Sequence, residues 1–438
     1  MEAGILDVIG TNISGIADIV IDILKESWWF LLPLCSFFIF YEFWMNGKNF
    51  LWKIGIKWVL LEIKIPKEIL KTPKAMENVF SSLHAIYTSI PEWEEKFLKG
   101  MDLKWMSFEM VGNAGTIRFY ARVFTAHRNI FESAIYSEYP DAEIKEVEDY
   151  VLEMPSIMPN KTYELWGTDY VFTKDNPYPI KTYEFYEEHV EEKRTDPISM
   201  IVELMSRLKQ GEMIWLQYLI KPIPSDWKNW KKLGEEIRDK MMQRDKAAKK
   251  GLLAAITDFV YTFLKNLVHA FVVHPEWPED KKKEEKFKLN FLSPGEQNVL
   301  KAVEQKISKL GFETNIRFLY IDRRDEFTVS NATGVNSAFR QFNTQDMNGF
   351  KPGKSKTWMP SLKLQPKTWT KKMQLQYRKR CLFDNYVKRW FPKGWDAPIL
   401  NTEELATVFH FPIVTVGAPS LRRLETKRGE PPHTLPIE

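Results

Sequence analysis

The chain has 438 residues, enough for a membrane anchor and two domains, which excludes a single small domain. A formal net charge of +4 is too small to mark a global polyanion binder, and two cysteines supply no disulfide framework. Aromatic residues reach 14%, 16 of them Trp, a density that serves packing first and stacking or membrane contact only locally.

Residues 1–26 read as an amphipathic helix. Ile9, Ile13, Ile16, Val20, Ile23 and Leu24 recur at helical spacing, and Asp7, Ser14, Asp18 and Asp22 fall on the other side. Residues 27–45 then form the organising stretch, SWWFLLPLCSFFIFYEFWM, with no formal charge from Trp28 to Tyr41. A bilayer core takes about 20 mostly apolar residues as helix, with aromatic rings at its borders. Trp28, Trp29, Tyr41 and Trp44 are placed as those border rings. Acids dominate before the run (Glu2, Asp7, Asp18, Asp22, Glu26, against Lys25), and lysines after it (Lys48, Lys53, Lys57, Lys64, Lys67, Lys71, Lys74, against Glu62 and Glu68). Positive flanks stay in the cytoplasm, so the expectation is a single-pass protein of the cytoplasmic membrane, N-terminus outside, bulk of the chain inside.

Residues 46–152 alternate in a readable order. Lys57–Ile65 is β-rich, Thr72–Tyr87 helical with Pro73 in the first turn, and Leu103–Val111 and Thr116–Phe124 are strands joined by Gly112-Asn113-Ala114-Gly115. Thr125 is placed as the N-cap of a helix to Tyr139, and Ala142–Val151 as a last strand. The order β-α-β-β-α-β is that of a ferredoxin-like unit. A second α/β domain, a diverged copy of the first, is expected over 160–345, with a helical insertion at 225–290. Its elements are strands at Tyr163–Thr173, Met213–Ile220 and Phe312–Ile321, and helices at Asp196–Lys209 and from the Ser293/Glu296 capping box to Gly311. The apolar stretch Gly251–Val273 carries Asp258, Thr262, Lys265 and His269 on one stripe, which favours an amphipathic helix packed on its domain or on the inner leaflet. The overall class is therefore α+β: a transmembrane helix followed by ferredoxin-like α/β sandwich units. A basic, aromatic-rich region follows at 346–410, and a proline-rich linker at 411–438.

No motif commits the chain to catalysis, a metal or a cofactor. In the string from Gly349 to Gly353-Lys354-Ser355 the glycines stand one residue too close for a phosphate-cradling loop. The seven histidines form no pair at ligand spacing, and Asp322 with Asp325, flanked by Arg323 and Arg324, reads as a salt-bridged turn. The strongest signal lies between Lys351 and Lys393, where thirteen Lys/Arg face one acid, Asp384. Lys371, Lys372, Arg378, Lys379 and Arg380 can neutralise phosphates, and Trp369 and Trp390 can stack bases. The same residues suit anionic lipid or a plain solvated face, and the sequence leaves the three open.

Four strings carry a family resemblance: LLEIKIPKEILKTPKAMENVFSSLHAIY at 60–87, ESAIYSEYPDAEIKEVEDY at 132–150, ELWGTDYVFTKDNPYPIKTY at 164–183 and ILNTEELATVFHFP at 399–412. Together they resemble the membrane-anchored N-terminal region of type IV secretion-like, conjugative DNA-transfer ATPases of the HerA type from candidate-phyla bacteria. In that family a comparable region precedes the P-loop motor, whereas this sequence ends about where the motor would begin. The resemblance implies a non-catalytic adaptor or assembly module. Its implied partners are membrane lipid, a HerA-type ATPase either encoded separately or cut away from this sequence, DNA and further copies of itself. The alternative is a stand-alone membrane-surface scaffold.

Overall fold

The computed structural model describes residues 2–65, 71–86, 91–186, 196–225, 227–242, 292–357, 369–391 and 397–412. The stretch at 251–273 and the tail from 413 lie outside the described residues.

Helix α1 runs from Glu2 to Gly55 without interruption, Pro33 included, so the division at 26/27 is not a break in structure. Its turns beyond Met45 belong to the same helix and not to the α/β domain expected from residue 46. Only Ile56 and Lys57 separate it from the first strand. Residues Trp28–Gly55 are long and apolar enough to cross a membrane, and no residue of their most apolar stretch is buried.

The remaining elements build one mixed α+β body around an antiparallel sheet of nine strands. The first four are β1 (Trp58–Lys64), β2 (Met106–Asn113), β3 (Thr116–Phe124) and β4 (Glu143–Glu146); the next are β5 (Tyr163–Phe172), β6 (Met213–Ile223), β7 (Gly311–Arg323), β8 (Phe350–Pro352) and β9 (Ile399–Asn401). Their spatial order is β4-β1-β3-β2-β6-β7-β5-β8, with β9 on β7. Written by rank within each half, the order is 4-1-3-2 and then 2-3-1-4, so the halves meet second strand to second strand along Met106–Asn113 and Met213–Ile220. In the first half β2 and β3 turn through Ala114 and Gly115, where positive φ at both residues closes the hairpin. In the second half the matching connection holds α6 (Trp230–Met241) and α7 (Pro294–Ser308), which lie against each other. The domains expected at 46–152 and 160–345 are thus two halves of a single sheet.

One face of the sheet is covered by α2 (Pro73–Ile86), α4 (Arg128–Glu138), α5 (Ser199–Ser206) and α8 (Val329–Arg340), whose apolar faces share one core with Phe108, Tyr218 and Phe318. At the centre of that layer sits α10 (Thr402–Val408), buried at all seven positions. Its Asn401/Glu404 capping box explains the NTEE text, and Phe409 and Phe411 continue into the core. The opposite face is closed by α9 (Trp369–Lys388), through Leu382, Phe383 and Tyr386, and by the segment around Tyr150–Met158. A short α3 (Trp93–Leu98) lies beside α1.

Several expected boundaries move. Residues 346–410 are not a separate basic region, because β8, α9, β9 and α10 are built into the sheet and its two covers. Phe411 is 1% exposed, so it belongs to the core and not to a linker starting at 411. Thr125 opens a 3₁₀ turn, and α4 starts after it without a side-chain cap. The strand at 142–151 is only Glu143–Glu146, because Asp149 leaves the ladder to accept from the Val151 N–H at 3.2 Å. Gly311 starts β7 and does not end α7.

Candidate polyanion interface and a buried polar belt

Helix α9 gathers the basic residues at 371–389, but its turns send them to different sides. At 100° per residue, Lys379, Leu382, Phe383 and Tyr386 form the inner face. Lys379 is 8% exposed and donates to Glu164 on β5 at 2.7 Å, so it is consumed by an internal pair and not offered to a phosphate. Lys372 and Arg380 are exposed, while Lys371 and Arg378 are half-buried on the opposite flank. None of these four has a carboxylate in ion-pair range among the described residues. The outermost ridge is Met373 and Tyr377, 52% and 70% exposed, with Asp384 and Lys388 paired at 2.8 Å. Trp369 opens the helix, but its side chain lies outside the described part. Trp390 is half-buried at the foot of α1, edge-on to Phe50 at 5.9 Å and under Lys53 at 5.7 Å. It is therefore a packing residue and not a free stacking platform.

The string from Gly349 to Ser355 runs along the edge of the sheet. The Gly353 N–H donates to the Asp169 carbonyl at 2.8 Å, and the Asp169 N–H donates to Ser355 Oγ at 2.8 Å. Thr357 Oγ1 takes the Gly167 N–H at 2.9 Å. Ser355 and Thr357 thus satisfy an exposed strand edge, and Lys354 is left exposed. At the end of β7, Asp322 is buried and accepts from Tyr320 Oη at 3.0 Å, which separates it from the surface pair of Arg323 and Asp325 at 3.6 Å.

Sequence reasoning missed the most elaborate polar arrangement. Directly paired residues Glu62, Tyr120, Glu109, Gln217, Arg317 and Asp169 form a row across β1, β3, β2, β6, β7 and β5. Above this row α9 ends on Arg389, whose φ of +55° is the left-handed position usually given to glycine. The Trp390 N–H closes the cap on the Asn385 carbonyl at 3.1 Å. The Arg389 guanidinium, 1% exposed, donates to Glu109 at 2.7 and 3.1 Å and to Asp149 at 2.6 and 2.9 Å. Burial would lower its pKa, but the charge of Glu109, the Tyr150 hydroxyl and the hydrogen bonds to Asp149 and Glu109 together outweigh that and hold it well above the usual range. Burial likewise opposes ionisation of Asp149, but the hydrogen bonds and charge of Arg389, the Val151 N–H and the Arg122 charge together overcome it, so its pKa falls below the usual value. Tyr150 Oη donates to Glu109 at 2.7 Å, and Gln217 donates to the same carboxylate at 3.0 Å. Arg317 continues the row, donating to Gln217 Oε1 at 3.0 Å, to Asp169 at 2.7 Å and to the Trp390 carbonyl at 3.1 Å. The belt fastens α9 to the sheet across both halves.

A second buried cluster fastens α10. Lys306 on α7 and Glu404 are both fully buried and meet at 3.0 Å, and Glu404 also takes the Ile180 N–H at 2.8 Å. Lys309 bridges Glu77 of α2 and Glu403 of α10, at 2.8 and 2.7 Å. Burial raises the Glu77 carboxyl, yet Lys309, Tyr183 and Lys74 together pull it below its ordinary value. Every strong carboxylate partnership of these two clusters is internal. Among the described residues no group of three His, Cys, Asp or Glu stands close enough to hold a metal ion.

On α1, Trp28 is 61%, Trp29 67%, Tyr41 39% and Trp44 47% exposed. Residues 52–420 match the family model described as "Domain of unknown function (DUF8128)". No curated protein matches the chain.

Proposed function

The chain belongs to the DUF8128 family, and we propose that it is a membrane-anchored, non-catalytic assembly module of a type IV secretion-like DNA-translocation system, working with a separate P-loop ATPase of the HerA type. In this reading it is a single-pass protein of the cytoplasmic membrane, with α1 as anchor, its N-terminus outside and the sheet in the cytoplasm. Each half of the sheet is a ferredoxin-like unit. The 4-1-3-2 strand order and the two helices on one face of each half support that reading.

One observation carries the functional part. The anchor and the sheet are coupled without a flexible joint, because two residues link α1 to β1 and Trp105, Trp390 and Phe97 pack on its lower turns. A body of this kind holds a fixed orientation to the bilayer, which suits a platform on which other subunits assemble. The deeply buried charges serve the platform's own cohesion, and the adaptor role needs no catalytic residue.

The test is reconstitution of the full chain in vesicles with each purified P-loop ATPase encoded beside it. Association of one ATPase with the vesicles, dependent on the chain and accompanied by a changed hydrolysis rate, is the expected result. Absence of association with every such ATPase would leave the stand-alone scaffold in its place.

A further inference from the structure

Helix α3 lies alongside α1 at a particular height. Its Phe97 ring stands 6.0 Å from that of Tyr41, and Trp93 packs on Phe97 at 5.1 Å. Two residues beyond α3, the Gly100 carbonyl takes a hydrogen bond from Asn49 Nδ2 at 3.0 Å. Gly100 has φ +69° and abuts the Lys48–Asn49 backbone, leaving no room for a Cβ. The segment from α3 to Gly100 therefore accompanies α1 from Tyr41 to Asn49, a rise of about 12 Å.

Over that same rise α1 changes character, from the uncharged run ending at Tyr41 to Glu42, Asn46, Lys48 and Asn49, with Trp44 between them. Lys48 Nζ sits over the Trp44 ring at 4.9 Å. An aromatic ring with a lysine just beyond it is the pattern of a helix leaving the hydrocarbon for the headgroups. Yet at this height α3 leaves Trp93 69% exposed and Leu98 59% exposed. A tryptophan so open to water is unfavourable, while an indole at the headgroup level is favoured.

We propose that α3 is a membrane-interface foot, with Trp93 and Leu98 inserted at the headgroup–acyl boundary of the leaflet where α1 emerges. The occupant of this surface is the bilayer itself, and the proposal rests on the reading of α1 as a membrane-spanning helix. With its caps α3 carries Glu92, Glu94 and Glu95 against Lys96 and Lys99, so insertion rests on the apolar side chains and zwitterionic lipid suffices. With two contacts, the anchor and the foot, the sheet is held at one tilt to the membrane.

The experiment uses the full chain with Cys35→Ala and Cys381→Ala, and single cysteines introduced as Phe38→Cys, Trp93→Cys, Leu98→Cys and Val329→Cys. Each is labelled with an environment-sensitive fluorophore and reconstituted in phosphatidylcholine vesicles carrying nitroxide lipids at shallow or deep acyl positions. Val329 is the distant control, since it follows the far end of β7, and that strand of 13 residues is roughly 40 Å long. The label at 38 should be quenched most by deep nitroxide. Labels at 93 and 98 should be quenched roughly twofold by shallow nitroxide, and the label at 329 by neither. An unquenched label at 38 would overturn the membrane-spanning reading of α1 and the foot with it. Quenching at 38, with 93 and 98 behaving as 329 does, would overturn the foot alone. Emission at 93 that responds to protein density and not to nitroxide would assign this surface to a second copy of the chain, and would likewise overturn it.

Discussion

The last two described helices solve opposite problems. Helix α10 is short and enclosed on every side, and its two adjacent carboxylates, Glu403 and Glu404, turn inward to Lys309 and Lys306. Helix α9 is long and one-sided, with an inner row on the sheet and an outer ridge left to solvent. Both are held by buried ions, but only α9 keeps surface free for a partner. The difference separates the part of this region that completes the fold from the part that can contact something else.

The largest effects should come from orphaning a buried charge. Arg389→Ala leaves Glu109 and Asp149 facing each other without their shared cation, and a cost of about 3–5 kcal/mol is expected for a broken buried pair. Lys306→Met does the same to Glu404 and should fall in the same range. The comparison sharpens in the double variants. Lys306→Met with Glu404→Leu should recover part of the loss, because the ion pair goes as a unit and only the Ile180 and Asn401 N–H groups lose an acceptor. Arg389→Met with Glu109→Leu should recover less, since Asp149, Tyr150 and Gln217 would still lack their partner. Thermal unfolding of the detergent-solubilised chain measures all four, and equal rescue in both helices would remove the distinction between a pair and a network.

A smaller effect is expected from pH at the end of the sheet nearest α1. His84 is buried, its Nε2 lies 3.2 Å from the Ile223 carbonyl and 3.1 Å from that of Gly311, and burial lowers its pKa below 6.5. A folded-state pKa below the unfolded one means the folded state resists protonation. Stability is therefore intact above about pH 6.5 and is lost as pH falls from there to the folded value, by about 1.4 kcal/mol for each pH unit between the two. Glu77 and Asp149 also carry lowered pKa values, but their losses begin only in the carboxylate range, well below that of His84. His84→Gln keeps a donor for the two carbonyls and should flatten the slope between pH 7 and pH 5.5. An unchanged slope would assign it to other groups.

Much of the sheet was legible because local signals agreed. Pro73 in a first turn, the hairpin glycine Gly115 and the Ser293/Glu296 capping box all mark element ends that the structure keeps. Helix α9 was not legible, since Lys379 and Arg389 occupy inward positions that look solvated in isolation. Their partners Glu164 and Glu109 lie 215 and 280 residues away in the chain. The polar belt was hidden for the same reason. Glu109 and Asp169 sit in apolar strands, and only strand pairing brings Gln217 and Arg317 between them. An isolated acid inside an apolar strand was the one available signal, and it names no partner.

The smallest stability change is expected at the exposed cations of α9, where it is also the most informative. Lys372→Glu with Arg380→Glu touches no ion pair among the described residues, so unfolding should shift by no more than about 0.5 kcal/mol. Lys379→Met should instead destabilise, because Glu164 loses one of its two cations and keeps only Arg324. Binding should follow the reverse order. If α9 meets a polyanion, reversing Lys372 and Arg380 weakens retention on DNA for all sequences alike and flattens its salt dependence, while Lys379→Met leaves the slope as it was. The same pair assayed on anionic and neutral vesicles separates lipid from nucleic acid. A salt slope that follows Lys379 would mean that its pair with Glu164 opens to ligand. Indifference of both ligands to both variants would leave Met373 and Tyr377, not the cations, as the part of α9 available to a partner.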